Sequence, residues 1–276
     1  MSKVGVGLFS DIGKTAREIL YKDYNYDRKF SITTQASDGL ALTSTALQKG
    51  KHTVGDVAAL YRYKNAAIDV KVDTQSNIDT RVTLTDVLPS VKTIASIKLP
   101  DMNSAKVEVQ YFHEHATIGS SLSLRNPPIF DISATCGTAT TVFGVEAAYN
   151  SSIGNFTKYN AGISMMEPGF CTTLTLADKG DLLTASYVRY LDQLKATTAV
   201  EFTNRFSEDG NTLTVGGSYN FDESTLIKLK LNNQGNFGVL LQNEIKPKTL
   251  LTMAAEFDYN SIDTSPKIGV SLALRP

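Results

Sequence analysis

Apolar and polar residues follow two periods along this chain, and the change from one to the other happens once. From Leu8 to Tyr21 the apolar residues Leu8, Phe9, Ile12, Ala16, Ile19 and Leu20 form a stripe about 120° wide at helical spacing. Ser10, Asp11, Lys14, Arg17, Glu18 and Lys22 fall on the other side. The spacing predicts an amphipathic helix, capped at Ser10 or Asp11 and ending near Lys22. Gly5 and Gly7 loosen the residues before it, and Asp23 to Asp27 is a polar, tyrosine-containing connector. Beyond Tyr24 the helical period does not return. Alternation takes over: Ile68, Val70 and Val72 point one way and Asp69, Lys71 and Asp73 the other. Val107, Val109 and Tyr111 oppose Lys106, Glu108 and Gln110, and Ile227, Leu229 and Leu231 oppose Lys228 and Lys230. Turn residues punctuate the run, among them Ser37-Asp38-Gly39, Lys49-Gly50, Lys64-Asn65, Asn126-Pro127-Pro128, Ser207 to Asn211 and Ser265-Pro266. The chain therefore divides into a helical segment, 1–24, and an all-β part, 25–276.

The alternating segments are close to the ~9–11 residues of a tilted strand crossing a bilayer. At roughly 13 residues per strand and turn, the β part holds close to twenty strands. An open sheet of that size would expose its edges, so closure into a transmembrane antiparallel β-barrel is expected. A barrel that wide cannot be filled by side chains. An apolar interior would be a void, whereas an apolar outside in lipid and a charged inside in water satisfies both faces. Short connections leave only the N-terminal helix to lie in or beside the lumen.

Composition narrows this further. The sequence holds no apolar run near the ~20 residues of a membrane-crossing helix. Its 27 basic and 28 acidic residues give a net charge of −1, so nothing points to a specific nucleic-acid site. Cys136 and Cys171 are too few for a disulfide framework and are expected free. The opening residues match neither an export leader nor a cleaved presequence, since Asp11, Glu18 and Asp23 interrupt the acid-free pattern. The helix is expected to be kept, and the sequons at Asn150 and Asn155 to go unglycosylated.

Two stretches and the last strand resemble the eukaryotic mitochondrial porins, the voltage-dependent anion-selective channels, and most of all their plant-type members. The run Leu8-Phe9-Ser10-Asp11-Ile12-Gly13-Lys14-Thr15-Ala16-Arg17 is similar to the family's amphipathic start. Tyr219-Asn220-Phe221-Asp222, then Lys230-Leu231-Asn232-Asn233 and Gly238-Val239, resemble its signature, with Glu223 and Leu229 departing from it. Lys267, Gly269, Leu272 and Leu274 fit the family's membrane-insertion signal. The resemblance implies nineteen strands, the number known for this family. It also implies a voltage-gated, weakly anion-selective diffusion channel of the mitochondrial outer membrane for ATP, ADP, phosphate and organic anions. Membrane lipid and the import and assembly machinery are implied partners, with room for homo-oligomers and cytosolic docking proteins. No cofactor is implied. Three features differ from many animal members: Asp23 to Asp27 has no glycine hinge, Lys64-Asn65 replaces a lipid-facing glutamate after Tyr61-Arg62-Tyr63, and Ser90-Val91-Lys92 keeps only the lysine of a Gly-Leu-Lys.

Candidate chemistry is otherwise thin. Gly13-Lys14-Thr15 ends like a phosphate loop, but the spacing from Gly7 is one residue too long and no strand precedes it. His113 and His115, at strand spacing around Glu114, are expected on one face near a rim, and two nitrogens without a third ligand make no metal site. No nucleophile–base arrangement can be drawn, so no enzyme is expected. The residues expected to line a pore and set its selectivity are Lys14, Arg17 and Lys22 on the helix, with Lys71, Arg81, Lys92, Lys98, Lys106, Lys228 and Lys230 on the wall. Asp69, Asp73 and Glu108 offset part of that field. Two rivals stand beside the channel: a docking or scaffold protein of the mitochondrial surface, and a soluble β-rich ligand-binding domain.

Overall fold

The computed structural model of the protein describes residues 6–36, 38–50, 52–208, 210–260 and 266–275. The features expected at Gly5, Ser37, Asp209 and Ser265 lie outside the described residues. The first strands are β1 (Arg28–Gln35), β2 (Leu40–Lys49), β3 (His52–Tyr63), β4 (Ala66–Asp73), β5 (Ile78–Thr85), β6 (Val91–Leu99) and β7 (Lys106–Phe112). Then come β8 (Ala116–Ser123), β9 (Ile129–Gly137), β10 (Thr141–Asn150), β11 (Asn155–Glu167), β12 (Phe170–Ala177) and β13 (Leu182–Leu191). The remainder are β14 (Ala196–Arg205), β15 (Gly210–Asn220), β16 (Thr225–Asn232), β17 (Asn236–Lys246), β18 (Thr249–Asp258) and β19 (Lys267–Leu274). Among the described residues these nineteen strands form one sheet in which each pairs with its sequence neighbour and β1 closes onto β19.

The expected antiparallel order breaks at that seam. Strands β1 and β19 run parallel, with Arg28 opposite Val270 and Ile32 opposite Leu274. Parity is the cause: in an up-and-down meander with an odd number of strands, the first and last point the same way.

The register carries one face continuously around the barrel. Thr45 lies opposite Asp56 and Asp56 opposite Asp73. Asp69 faces Arg81 and Lys71 faces Asp79, which faces Lys98 in turn. Further round, Ser186 faces Glu201 and Glu201 faces Thr214. The other face holds Val57, Ile68, Ile132, Val145, Leu229 and Leu231, all exposed, Ile132 and Val145 to 57 %. Side chains of that kind in so broad a band cannot face water, and hydrocarbon is the solvent that suits them. Tyr61, Tyr63 and Tyr219 gather at one rim and Phe130, Phe156 and Phe257 at the other, the two aromatic girdles of a membrane-spanning barrel.

This orientation has a stability consequence. Leu229→Arg, midway along the outer face of β16, is expected to destabilise the inserted barrel by ~2–4 kcal/mol. Thr45→Arg, on the inner face opposite Asp56, is expected to change it by less than ~1 kcal/mol. Reversible denaturant unfolding from lipid vesicles measures both. Equal costs would mean that both faces meet the same solvent.

The predicted helix is present in a shorter form. A 3-10 turn, Phe9–Asp11, precedes a helix α1 at Lys14–Leu20. Gly13, at φ 74°, separates them, a left-handed conformation that costs glycine little. The stripe survives the break because the kink keeps Ile12 on the side of Ala16, Ile19 and Leu20, all four buried. No helix among the described residues is long and apolar enough to cross a membrane.

Candidate functional site in the lumen

The N-terminal segment lies inside the barrel, apolar side against the wall. Ala16, Ile19 and Leu20 pack on Cys171, Val188 and Ala199 of β12, β13 and β14. Glycines on inward positions make room for it. A Cβ on Gly144 would stand 2.7 Å from Phe9 and 2.8 Å from Ile12, and one on Gly216 would stand 2.7 Å from Leu20. At the start of the segment the Thr117 hydroxyl donates to the Val6 carbonyl, and the Thr135 hydroxyl donates to the Gly7 carbonyl at 2.6 Å. At its end Tyr21 donates to Glu201 at 2.6 Å and Tyr26 to Glu256 at 2.7 Å. Burial, reinforced by the Glu201 carboxylate, pushes the Tyr21 hydroxyl up to about 12, so it stays a donor at neutral pH. These contacts run from β8 to β19. The inward faces of β2 to β6 lie across the lumen from them, and β7 borders the segment through Lys106 and Glu108.

The ten expected pore-lining cations therefore fall into three groups. Lys14, Arg17 and Lys22 stand on the exposed side of the segment, facing the lumen. Lys14 pairs with Asp11 at 3.3 Å, Lys22 with Glu18 at 3.5 Å, and Arg17 donates to the Ser10 carbonyl at 2.6 Å. Lys71, Arg81, Lys92 and Lys98 occupy the opposite wall, on the inward face of β4 to β6, while Lys106 on β7 lines a cavity beside Leu8, Phe9 and Arg17 of the segment. Lys71 pairs with Asp56 at 3.4 Å and Lys106 with Asp131 at 4.0 Å. Among the described residues Arg81, Lys92 and Lys98 have no carboxylate within ion-pair distance. The third group, Lys228 and Lys230, points inward but is covered by the segment. Lys228 is 7 % exposed, and its ammonium donates to the Glu18 and Lys22 carbonyls at 2.8 and 3.4 Å. Lys230 lies 4.4 Å from the Tyr24 ring centre and 3.8 Å from the Glu256 carboxylate.

The remaining sequence candidates sort as follows. On β19, Lys267 and Gly269 face inward and Leu272 and Leu274 outward, with Lys267 bonded to Glu256 at 2.9 Å. His113 and His115 are not on a strand face. Strand β7 ends at Phe112, and the His113 amide closes the turn by donating to the Ala116 carbonyl at 2.8 Å. Cys136 is exposed on the outer face, and Cys171 is buried under the helix. Several residues that seat the segment were not singled out from sequence: Thr117, Thr135, Glu201, Glu256 and the inward glycines. Of these, only the glycines carried a signal, by standing at inward positions of their strands.

A closed barrel with a hydrocarbon-facing outside, a charged inside and a helix laid against its inner wall belongs to the class of transmembrane β-barrel pores. A family profile described as "Eukaryotic porin" matches residues 5–269. Mitochondrial outer membrane protein porin 2 of Arabidopsis thaliana is 53 % identical over all of both chains. Mitochondrial outer membrane protein porin 5 of Oryza sativa subsp. japonica is 48 % identical, again over all of both chains, and the outer plastidial membrane protein porin of Pisum sativum 42 % over 99 % of each. A mutant of Rh. blastica porin superposes with a TM-score of 0.50 at 8 % identity, covering 80 % of this chain and 90 % of that one, which is a likeness of fold. The chain belongs to the eukaryotic porin family, a family of channel proteins and not of enzymes.

Proposed function

We propose that the protein is a diffusion channel of the mitochondrial outer membrane that passes ATP, ADP, phosphate and organic anions, prefers anions slightly, and is gated by voltage. The observation that carries it is the flat seating of the N-terminal segment, which leaves the lumen between α1 and β2–β6 unobstructed. Nineteen strands spaced ~4.8 Å and tilted near 40° enclose a backbone diameter of about 38 Å. A helix ~10 Å thick on one side, and side chains on the other, leave ~15 Å or more of water. Nothing in such a passage performs a chemical step. Solutes cross by diffusion, and the charges on α1 and on the facing wall bias which ions enter.

Most of those charges are paired, and screening acts over ~8 Å at physiological salt, so the preference is modest. Gating requires charged protein to move in the field, at about 2.3 kcal/mol per charge per 100 mV. The last strand's Lys267, Gly269, Leu272 and Leu274 serve as the signal read by the outer-membrane import and assembly machinery. Homo-oligomers and cytosolic docking proteins are further partners consistent with an exposed barrel.

Purified protein in planar bilayers is expected to give stepwise conductance, with a reversal potential under a salt gradient displaced toward the anion side. Absence of steps from correctly inserted protein would favour the docking reading, and a monodisperse fold without detergent the soluble one.

A further inference from the structure

Lys228 looks from the sequence like one more cation for the pore, but its position suits a different task. It projects inward from the middle of β16, between Ser218 of β15 and Leu240 of β17, the latter fully buried. The helix lies over it, and among the described residues no carboxylate comes within ion-pair distance of its ammonium. Its close polar partners are the main-chain carbonyls of Glu18 and Lys22, at the C-terminal end of α1. The Glu18 carbonyl belongs to the last turn, where a helix leaves its acceptors unpaired and carries partial negative charge, and Lys22 follows two residues past the end of α1. The usual remedy is a glycine just past the end, and here Tyr21, Lys22 and Asp23 occupy those positions. The wall supplies what the segment's own sequence lacks.

From this geometry we propose that Lys228 is a positioning residue: a cap delivered in trans by the barrel wall, which holds the C-terminal end of α1 against β13–β16 in the conducting state. Its charge is spent on the helix end and not on permeant ions. Main-chain carbonyls are its acceptors, so the anchor tolerates change in the side chains of residues 18 and 22 but not loss of the ammonium. This rests on the channel reading, because it assumes a lumen through which the segment could otherwise swing.

A native thiol makes the position of the helix measurable. Cys171 is 3 % exposed beneath Ala16, Ile19 and Leu20, and Cys136 is the chain's other cysteine. In a Cys136→Ser background, a charged methanethiosulfonate added to barrels in vesicles reaches Cys171 only when α1 lifts. Lys228→Met is expected to speed modification of Cys171 about tenfold or more, the loss of a charged hydrogen-bond donor to two acceptors. Lys228→Arg should restore protection, and the reversal potential of the open Lys228→Met channel should stay near the parent value. Lys228→Gln, which keeps a neutral donor of similar length, is expected to fall between them and serves if the methionine variant does not insert. Cys171 equally protected in the Met and Gln variants would overturn the proposal. So would a reversal potential moved toward cations with Cys171 still covered, which would make Lys228 an ordinary lining charge. The parent barrel's own conductance tests the channel reading separately.

Discussion

Gly269→Val is expected to expel the N-terminal segment from the lumen while leaving a closed wall. The connector between α1 and β1 crosses the inner face of β19 at this residue. A Cβ there would run into the Asn25 carbonyl oxygen and come within 2.6 Å of the Tyr26 backbone. Real Cβ atoms do not approach heavy atoms closer than 3.0 Å. Overpacking a core typically costs about 1–3 kcal/mol, and that figure assumes side chains that can turn aside. Here the obstacle is main chain, anchored a residue later by Tyr26 to Glu256, so the cost lies at the upper end or beyond. The pairing of Gly269 with Ala254 in the sheet is untouched. In vesicles, trypsin is expected to cut after Arg17 and Lys22 in the variant and to spare them in the parent, and single-channel conductance is expected to become heterogeneous. A variant that inserts, resists trypsin at both sites and keeps one conductance level would show that the connector does not need this glycine. Failure to insert at all would mean that Gly269 acts in the insertion signal before it acts in the lumen.

Much of this architecture was legible in the sequence, and particular residues show why. Period-two alternation fixes a strand's faces absolutely, so Ile68-Asp69-Val70-Lys71 could be read without knowing any neighbour. The same property places Arg81, Lys98 and Lys106 on one face, which the register carries across β5 to β7. Strand number followed from family resemblance, with division of the length merely compatible. What could not be read was any contact between distant segments. Gly13 looks like an interior helix residue until its left-handed backbone splits the stripe. Lys228 and Lys230 have the same pattern as Lys71, and only the path of residues 6–26 distinguishes a covered lysine from an open one. His113 and His115 misled for a local reason. Alternation was carried on to His115, three residues past Phe112, where the strand gives way to a turn closed by the His113 amide. Thr117 and Thr135 carry no signal at all, since a threonine on a strand is ordinary and its acceptor is a carbonyl more than a hundred residues away.

The lumen cations are not equivalent, and the division into covered, paired and open ones predicts which set governs selectivity. Lys71 and Lys106 each face a carboxylate within 4.0 Å, so their field at the centre of the passage is largely that of a dipole. Lys14 and Lys22 are compensated in the same way along their own segment. Arg81, Lys92 and Lys98 carry charge on the open wall with no ion-pair partner among the described residues, so theirs is the field an entering ion meets. Changing all three to glutamate alters the wall by two charges per site and adds carboxylates to a face that already holds Asp69, Asp73 and Asp79. The reversal potential under a tenfold salt gradient is expected to cross zero to the cation side. Lys14→Glu with Arg17→Glu should move it in the same direction by less, and Lys228→Met scarcely at all. Raising the salt to ~1 M, where the Debye length is near 3 Å, should compress all the differences. If the triple variant left the reversal potential unchanged at low salt, permeant ions would not be sampling the β5–β6 wall, and the bias would have to arise on the helix.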